Sequence, residues 1–199
     1  MVSIYIDMDD VLCESNQTFL DILERDFGKK ADYEEITAFD LKVSLDLSDD
    51  EYSRFFESIH DPDEMIRHKP AAGAKHLLDL WHDKGYRINV LTGRPAVAQP
   101  VSLEWLEKHD FKFHGFSIVD KYNRESSQDD SSLTLEALSR QNFDLAVEDS
   151  GAMARFLSEE MGLQVALVDR PWNRSFSFNA NVHRCRDWFD IKEKFENLS

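Results

Sequence analysis

The sequence predicts an α/β fold in which a parallel sheet carries helices on both faces. Strand-like and helix-like segments alternate along the chain, which is typical of this architecture. Polar residues follow successive strands at regular spacing: Thr92 to Lys121 is 29 positions and Lys121 to Asp149 is 28, each close to one βαβ unit of about 30 residues. Asp7 to Thr92 is 85 positions, and helical patterns fill the excess. We therefore predict a Rossmann-like three-layer core with a five-stranded parallel sheet and an inserted helical cap.

The first strand ends in a cluster of carboxylates. Residues 2–6 are nearly all apolar or favour strands, as expected of a strand buried on both faces. Asp7, Asp9 and Asp10 follow directly. Because ligands bind at the carboxyl ends of the strands in open α/β sheets, this cluster is a candidate site. An Asp-x-Asp sequence alone is common in turns and at helix N-termini, so the other strand ends must support it.

Helical patterns occupy the chain between the first and second strands. Residues 15–28 repeat apolar side chains every three to four positions and end at Gly28, a residue that commonly ends helices. Ser48 and Glu51 have the spacing of a capping box, which predicts a further helix. We place the cap at residues 14–69, inserted after strand one, and the core at residues 1–13 and 70–199.

The rest of the chain supplies the core. Helical patterns cover residues 70–84, 101–109, 133–140, 152–161 and 188–195. Strand patterns cover residues 86–91, 116–119, 143–147 and 164–168. The predicted strand order is 5-4-1-2-3, which puts the first strand and Asp7 at the centre of the sheet.

Composition limits the functional classes. The 199 residues are 42% hydrophobic, enough to bury a sizeable core. A formal net charge of −16 disfavours binding to nucleic-acid polymers or anionic membranes and suits a bound cation. The two cysteines are far apart and indicate neither a disulfide framework nor a zinc site. Without a signal peptide or a long apolar run, the expected location is cytoplasmic, and the oligomeric state is left open.

Four carboxylates are expected to meet at one edge of the sheet. The first strand end brings Asp7 and Asp9, and the fourth brings Glu148 and Asp149. Carboxylates gathered in this way repel one another unless a cation binds between them. Hard oxygen ligands of this kind favour Mg²⁺.

The second and third strand ends supply groups that suit a phosphate. The hydroxyl of Thr92 and the backbone N–H groups around Gly93 can donate to phosphoryl oxygens, and the ammonium of Lys121 can neutralise developing negative charge. Arg94 directly follows them. Its guanidinium could reach a phosphate or a substrate carboxylate, or it could equally pair with a surface acid.

These segments together resemble the haloacid dehalogenase-like phosphohydrolase superfamily. Residues 7–11 (Asp-Met-Asp-Asp-Val) resemble its first motif, residues 91–93 (Leu-Thr-Gly) its second, Lys121 its third, and the pair Glu148 and Asp149 its fourth. The four motifs stand in the correct order with a cap-sized gap after the first. Lys112 could compete with Lys121, although Lys112 precedes the third strand.

The resemblance implies a role for each of these residues. Asp7 would attack phosphorus and form an aspartyl-phosphate, and Asp9 would act as general acid and base. Mg²⁺ would be held by Asp7, the backbone carbonyl of Asp9 and Asp149, with Glu148 orienting metal-bound water. The remaining motif residues, which would hold the phosphoryl group, are Thr92 and Lys121.

A narrower resemblance, to the 5′(3′)-deoxyribonucleotidase family, rests on the helical cap, Thr-Gly-Arg-Pro at residues 92–95 and Asp-Arg-Pro-Trp-Asn at residues 169–173. Two positions depart from that pattern: Asp10 stands where Gly is usual, and Ser15 where an aromatic residue helps to stack the base. Other aromatic residues of the cap could stack a base but are more readily explained as its core. They are Phe19, Phe39, Tyr52, Phe55 and Phe56.

Two further groups of residues receive no catalytic role. We expect Trp172 to pack the last helix against the sheet. The seven histidines show neither metal-ligand spacing nor a partner.

Three functions stay open. The leading hypothesis is a Mg²⁺-dependent phosphomonoesterase, a 5′(3′)-deoxyribonucleotidase that dephosphorylates nucleoside monophosphates. The second keeps the chemistry but acts on a sugar phosphate or another small metabolite. The third is a catalytically silent ligand-binding protein on the same fold.

Overall fold

A six-stranded parallel sheet forms the centre of the molecule. The computed structural model describes residues 1–121 and 132–198. The strands run in the order β3-β2-β1-β4-β5-β6, so β1 lies inside the sheet between β2 and β4. This arrangement confirms the predicted α/β, Rossmann-like class. The strands are β1 Ser3–Ile6, β2 Arg87–Thr92, β3 Gly115–Ile118, β4 Leu145–Glu148, β5 Gln164–Val168 and β6 Val182–Cys185.

The prediction of five strands is wrong by one. Strand β6 pairs in parallel with β5, with Val182 opposite Val165 and Cys185 opposite Val168. The five predicted strands keep the order 5-4-1-2-3, and β6 extends the sheet beyond β5. Its sequence, Val-His-Arg-Cys, carries little strand pattern, because an edge strand pairs on one side only and β6 stays partly exposed.

Apart from two four-residue helices, Leu41–Ser44 and Pro62–Met65, the helices agree with the predicted segments to within a few residues. Helix α1 ends at Gly28, whose φ of 63° is left-handed and whose N–H donates to the carbonyl of Glu24. The predicted capping box forms at the start of α3, because the side chains of Ser48 and Glu51 each accept from the other residue's backbone N–H. The helices are α1 Ser15–Phe27, α2 Leu41–Ser44, α3 Asp49–Ile59, α4 Pro62–Met65, α5 Ala74–Asp83, α6 Gln99–Lys108, α7 Leu135–Ser139, α8 Gly151–Glu159 and α9 Trp188–Phe195.

Hydrophobic layers cover both faces of the sheet. Ile4 and Ile6 point from β1 into one layer, and Tyr5 between them points into the other, as the twofold period of a strand requires. The first layer is filled from α5, α6 and α9, and the second from α7 and α8. Because both faces are buried, the strands read as nearly continuous apolar runs.

A third hydrophobic cluster lies within the predicted cap. We call it the cap cluster, and its buried members are Ile22, Leu23, Ile36, Leu45, Leu47, Phe55, Ile59 and Trp172. Among the residues that the structure describes, Trp172 is the one buried member from outside residues 14–69. The assignment of these residues to a separate inserted domain stays a prediction. Within the described part of the chain, no helix combines the length and the apolar character needed to cross a membrane.

Candidate active site

The strand ends meet at the carboxyl edge of the sheet, as the sequence predicts. Ile6, the last residue of β1, lies opposite Val90 of β2 and Val147 of β4. The N–H of Asp7 donates to the carbonyl of Val147 over 2.9 Å, which continues the sheet pairing by one residue. Asp7 therefore emerges next to the end of β4, where Glu148 and Asp149 follow.

Three of the four predicted carboxylates form one group. An oxygen of Asp7, one of Glu148 and one of Asp149 all lie within 4.8 Å of one another, and all three residues are buried. We call this the carboxylate group. Asp7 is more than 140 positions from Glu148 and Asp149 in the chain, so the pairing of β1 with β4 brings them together.

Glu148 is fully occupied by protein donors. Its Oε1 accepts from the Tyr5 hydroxyl over 3.0 Å and from Lys121 Nζ over 2.5 Å. Its Oε2 accepts from the backbone N–H groups of Asp149 and Ser150 at 2.9 and 3.0 Å. With both oxygens engaged, Glu148 is suited to orient its neighbours rather than to serve as a direct ligand.

The ammonium of Lys121 lies inside the carboxylate group. Its Nζ is 2.9 Å from Asp7 Oδ1, and its side chain is fully buried. Lys112, the alternative that the sequence left open, is half-exposed and pairs with Asp110 over 3.0 Å. The geometry therefore associates Lys121, and not Lys112, with Asp7.

The carboxylate group carries more negative charge than Lys121 compensates. Burial and the neighbouring Glu148 raise the pKa of Asp7 to about 8, although Lys121 lowers it. Burial and Glu148 likewise raise the pKa of Asp149 well above its usual range. Buried carboxylates in this state bind either protons or a cation. The donor set of hard oxygens therefore fits a divalent metal ion.

Asp9 stands apart from the carboxylate group and pairs with Arg94. Arg94 Nε donates to Asp9 Oδ2 over 2.8 Å, and Nη2 donates to Oδ1 over 2.7 Å. Nη1 donates to Ser102 Oγ over 2.9 Å, and the arginine side chain is only 3% exposed. The sequence left Arg94 open between a substrate contact and a surface ion pair. In the structure it forms a buried ion pair, and contact with a phosphate stays a prediction.

This pairing strongly stabilises the ionised form of Asp9. Burial alone would raise the pKa of Asp9, but the charge and hydrogen bonds of Arg94 outweigh burial and hold it well below its usual range. Asp9 nevertheless lines the cavity, with its side chain 32% exposed. In this conformation Asp9 is an ion-pair partner and not a ready proton donor.

Two residues that the sequence analysis set aside surround the same guanidinium. Arg94 Nη2 lies 3.5 Å from Cys13 Sγ and 3.3 Å from His68 Nδ1. Asp9, Cys13 and His68 could together hold a metal ion, but Arg94 already places a positive charge among them. The expectation that the histidines lack a partner is therefore wrong for His68. Its separation from Cys13 by 55 positions gave no sequence signal.

The backbone conformation at residue 10 allows Asp to stand where the family pattern has Gly. Its φ of 52° lies in the left-handed region, where Gly is usual and Asp is tolerated. Its Oδ2 accepts from Ser15 Oγ and from the N–H of Asn16 at 2.9 and 3.2 Å, which anchors the start of α1. Its carbonyl accepts from Arg170. Ser15, at the position where a stacking aromatic residue was noted as missing, thus holds the first-motif loop instead.

The carboxylates lie on the floor of a cavity of about 410 Å³ beneath the helices of residues 14–69. Asp7, Asp9 and Asp149 line it together with Gly93 and Arg94. Phe55 does not line it, because this residue is fully buried in the cap cluster. The aromatic side chains that do line it are Phe19, Phe39, Tyr52, Phe56 and Trp172.

The predicted role of Trp172 is wrong. Its indole lies in the cap cluster, and its Nε1–H donates to Asp149 Oδ2 over 2.9 Å. Trp188 instead packs α9 against the sheet, with its Nε1–H donating to the carbonyl of Val11 over 2.8 Å. Apolar periodicity cannot separate the two tryptophans, since both are buried.

Solved structures share this fold. The chain superposes on a haloacid dehalogenase hydrolase of family IA, variant 3, from Entamoeba histolytica with a TM-score of 0.59 and 10% identity, covering 98% of this chain and 97% of the other. It superposes on CbbY from Rhodobacter sphaeroides in complex with phosphate with a TM-score of 0.57 and 17% identity, covering 96% of both chains. The fold is that of the haloacid dehalogenase-like hydrolases.

Two curated proteins are similar to this chain in sequence. A protein provisionally named a nucleotidase in Halalkalibacterium halodurans is 27% identical over 175 residues, covering 88% of this chain and 83% of the relative. YqfW of Bacillus subtilis, also provisionally named a nucleotidase, is 23% identical over 200 residues, covering 99% of this chain and 95% of the relative. The LNS2 domain family of PITM 1-3 matches residues 53–149.

Together these findings confirm the recognition made from the motifs. The chain has the fold of the haloacid dehalogenase-like hydrolases and is similar in sequence to proteins named as nucleotidases, which fits a phosphohydrolase of this kind. The relatives' names and the solved structures support a hydrolase of phosphoric monoesters.

Proposed function

We propose that the chain is a Mg²⁺-dependent phosphomonoesterase that releases phosphate from nucleoside monophosphates through an aspartyl-phosphate on Asp7. The observation that carries this proposal is the carboxylate group, of which Asp7 and Asp149 line the cavity, with Lys121 Nζ 2.9 Å from Asp7. A nucleophilic carboxylate, a cation site and a neutralising ammonium are the parts that phosphoryl transfer needs.

The reaction proceeds in two displacements. A carboxylate oxygen of Asp7 attacks phosphorus, the bond from phosphorus to the ester oxygen breaks, and the leaving oxygen takes a proton from Asp9. Water then attacks the aspartyl-phosphate, its proton passes to Asp9, and inorganic phosphate leaves with the Asp7 carboxylate restored. Splitting one displacement into two makes each step easier.

The surrounding residues hold charge in place. Asp7, Asp149 and the backbone carbonyl of Asp9 would hold Mg²⁺, which supplies positive charge against the phosphoryl oxygens when bound. Lys121 would neutralise the same oxygens, and its bond to Glu148 keeps its ammonium near Asp7. The Thr92 hydroxyl and the N–H groups around Gly93 would donate to the phosphoryl group.

The acid–base role of Asp9 requires a change of partner. Because Arg94 disfavours the protonated form, Asp9 must exchange Arg94 for a proton from solvent as the substrate binds, and it then gives this proton to the leaving oxygen in the first displacement. The released guanidinium would then lie beside the phosphoryl group, which is the role that the sequence suggested for Arg94. The acid–base role predicted for Asp9 and the phosphate contact predicted for Arg94 would therefore both result from one exchange of partners.

A nucleotide is the substrate that the cavity favours. Five aromatic side chains line a space of about 410 Å³ above the carboxylates, which suits a flat base attached to a phosphorylated sugar. The relatives' names point the same way. The second candidate, a sugar phosphate, requires less apolar wall than this cavity offers.

A substrate panel tests the proposal. Phosphate release from deoxynucleotides, ribonucleotides and sugar phosphates is measured with Mg²⁺ or with a chelator, for the wild type and for Asp7→Asn. We expect the fastest release from nucleoside monophosphates, dependent on Mg²⁺ and lost in Asp7→Asn. Faster release from sugar phosphates would favour the second candidate. Release from no substrate by either protein would indicate a binding protein.

A further inference from the structure

The four tryptophans form a natural comparison, because each donates its indole N–H to a buried acceptor. For three of them the acceptor is a backbone carbonyl: Phe195 for Trp81, His68 for Trp105 and Val11 for Trp188, over 2.8 to 3.0 Å. Trp172 alone donates to a carboxylate, Oδ2 of Asp149. Its hydrogen bond is therefore the one of the four that acts on a member of the carboxylate group.

Trp172 also contacts the cap directly. Its side chain is 2% exposed and packs within the cap cluster. Its ring meets that of Tyr33 edge to face, with centroids 5.6 Å apart. Arg174, two residues further along, forms an ion pair with Glu34 of the same cap turn. The segment 172–174 thus attaches to the cap turn at residues 33–35 through an apolar contact and a charged one.

The same segment is anchored to the core. Asn173 Nδ2 donates to the carbonyls of Asp149 and Val168, each over 2.8 Å. Arg184, on strand β6, donates from Nη1 to Asn173 Oδ1. Asp149 is consequently held at its backbone by Asn173 and at its side chain by Trp172.

We propose that Trp172 is a positioning residue that sets the orientation of Asp149 and links it to the seating of the cap. A hydrogen bond at Oδ2 restricts rotation of the carboxylate, so both oxygens of Asp149 keep a fixed orientation within the carboxylate group. This role rests on the cation site of the proposed function. Such supporting bonds to a metal ligand commonly change metal affinity by about 10- to 100-fold.

The link to the cap follows from where the indole lies. If the cap turn moved away from the core, Trp172 would lose its contact with Tyr33 and part of its burial, and the donor to Asp149 would loosen. Any such coupling is reciprocal, so cation binding at Asp149 favours the seated cap. A change in the contact between the cap turn and Trp172 would therefore change the affinity for the cation, and cation binding would in turn stabilise that contact.

Binding of Mg²⁺ to the full chain, without substrate, tests the proposal. Calorimetry gives the affinity, and tryptophan fluorescence reports the environment of the indoles. The variants are Trp172→Phe and the matched control Trp188→Phe, which also loses a buried indole and one hydrogen bond, but to the carbonyl of Val11 and not to Asp149. We expect Trp172→Phe to lose about tenfold in Mg²⁺ affinity and most of the fluorescence response, and Trp188→Phe to keep both.

A cap-side variant, Tyr33→Ala, tests the link and remains informative if Trp172→Phe does not fold. Tyr33 is only partly buried, and its replacement should weaken Mg²⁺ binding about two- to threefold while shifting the Trp172 emission. Unchanged affinity in Tyr33→Ala would overturn the link to the cap.

The remaining outcomes separate this role from the function on which it rests. Equal Mg²⁺ affinity in Trp172→Phe and the wild type would overturn the positioning role while leaving the cation site intact. An equal loss in Trp188→Phe would overturn it as well, because the effect would then be one of general packing. Absence of Mg²⁺ binding in the wild type would instead overturn the proposed cation site itself.

Discussion

On one side of the cavity floor, Asp7, Glu148 and Asp149 surround Lys121. On the other side, Asp9 forms a two-pronged ion pair with Arg94. The first side has an excess of negative charge, and the pKa values of two of its carboxyls are raised. The second side is balanced within the chain, and the pKa of its carboxyl is lowered.

The difference shows that two carboxylates on one loop, Asp7 and Asp9, can differ in whether the protein itself compensates their negative charge. The carboxylate group needs a charge that the protein does not supply, which is the condition for binding an external cation. The Asp9 side needs nothing from outside until a substrate arrives. If this contrast is correct, the two sides must respond differently to loss of their basic residue and to Mg²⁺.

The largest effect is expected at Lys121. Replacing it with methionine removes the buried ammonium and leaves the carboxylates uncompensated, so Lys121→Met should lower the free energy of unfolding by about 3–5 kcal/mol without Mg²⁺. Mg²⁺ should restore much of this loss. Urea unfolding with and without Mg²⁺ measures both. Lys112→Met, at the half-exposed lysine, should stay within about 0.5 kcal/mol of the wild type.

A smaller effect, without rescue, is expected at Arg94. Arg94→Met should lower the free energy of unfolding by about 3 kcal/mol, because Asp9 loses its partner in a largely buried place. Mg²⁺ should not restore it. Arg186 provides a matched control, since it makes the same two-pronged contact with Asp190 on the surface. Arg186→Met should have a much smaller effect on the free energy of unfolding than Arg94→Met, because a surface ion pair contributes little. Rescue of Arg94→Met by Mg²⁺ would contradict the contrast between the two sides.

The last expected effect, and the smallest per pH unit at no more than about 1.4 kcal/mol, is a slope of stability with pH. Because the pKa of Asp7 is about 8 in the folded chain and about 4 when unfolded, the folded state holds more protons in that window. The free energy of unfolding should therefore fall as pH rises from about 4 to about 8 without Mg²⁺. Asp7→Asn should remove most of the slope, and Mg²⁺ should flatten it. A wild-type curve that rises across this window would argue against the raised pKa.

Asp9 gives the opposite sign at lower pH. Its pKa is depressed in the folded chain, so the stability of its ion pair is present above its unfolded pKa of about 4 and is lost as pH falls further. The two sides of the floor thus oppose each other in acid titration, and Arg94→Met removes only the low-pH component.

Residues that end an apolar strand could be located from sequence. The runs before Asp7 and before Glu148 mark strands buried on both faces, and regular spacing predicts that their ends meet. The fold class and the carboxylate group follow from that logic. The sequence did not predict strand β6, because an exposed edge strand needs no continuous apolar run.

Contacts between distant polar side chains could not be located in this way. Arg94 pairs with Asp9, which lies 85 positions away in the chain. Trp172 donates to Asp149 from the segment that follows β5. A guanidinium or an indole has several acceptors within reach, and only the packed geometry selects one. Sequence therefore identified the groups that can carry the chemistry but not the residues that hold them in place.

The central claim is that Asp7 accepts the phosphoryl group. Acid quenching of the wild type during turnover of a nucleoside monophosphate with Mg²⁺, followed by peptide mass analysis, tests it directly. The account predicts phosphate bound covalently at Asp7. Steady turnover with no phosphate on Asp7, and with activity retained in Asp7→Asn, would contradict it.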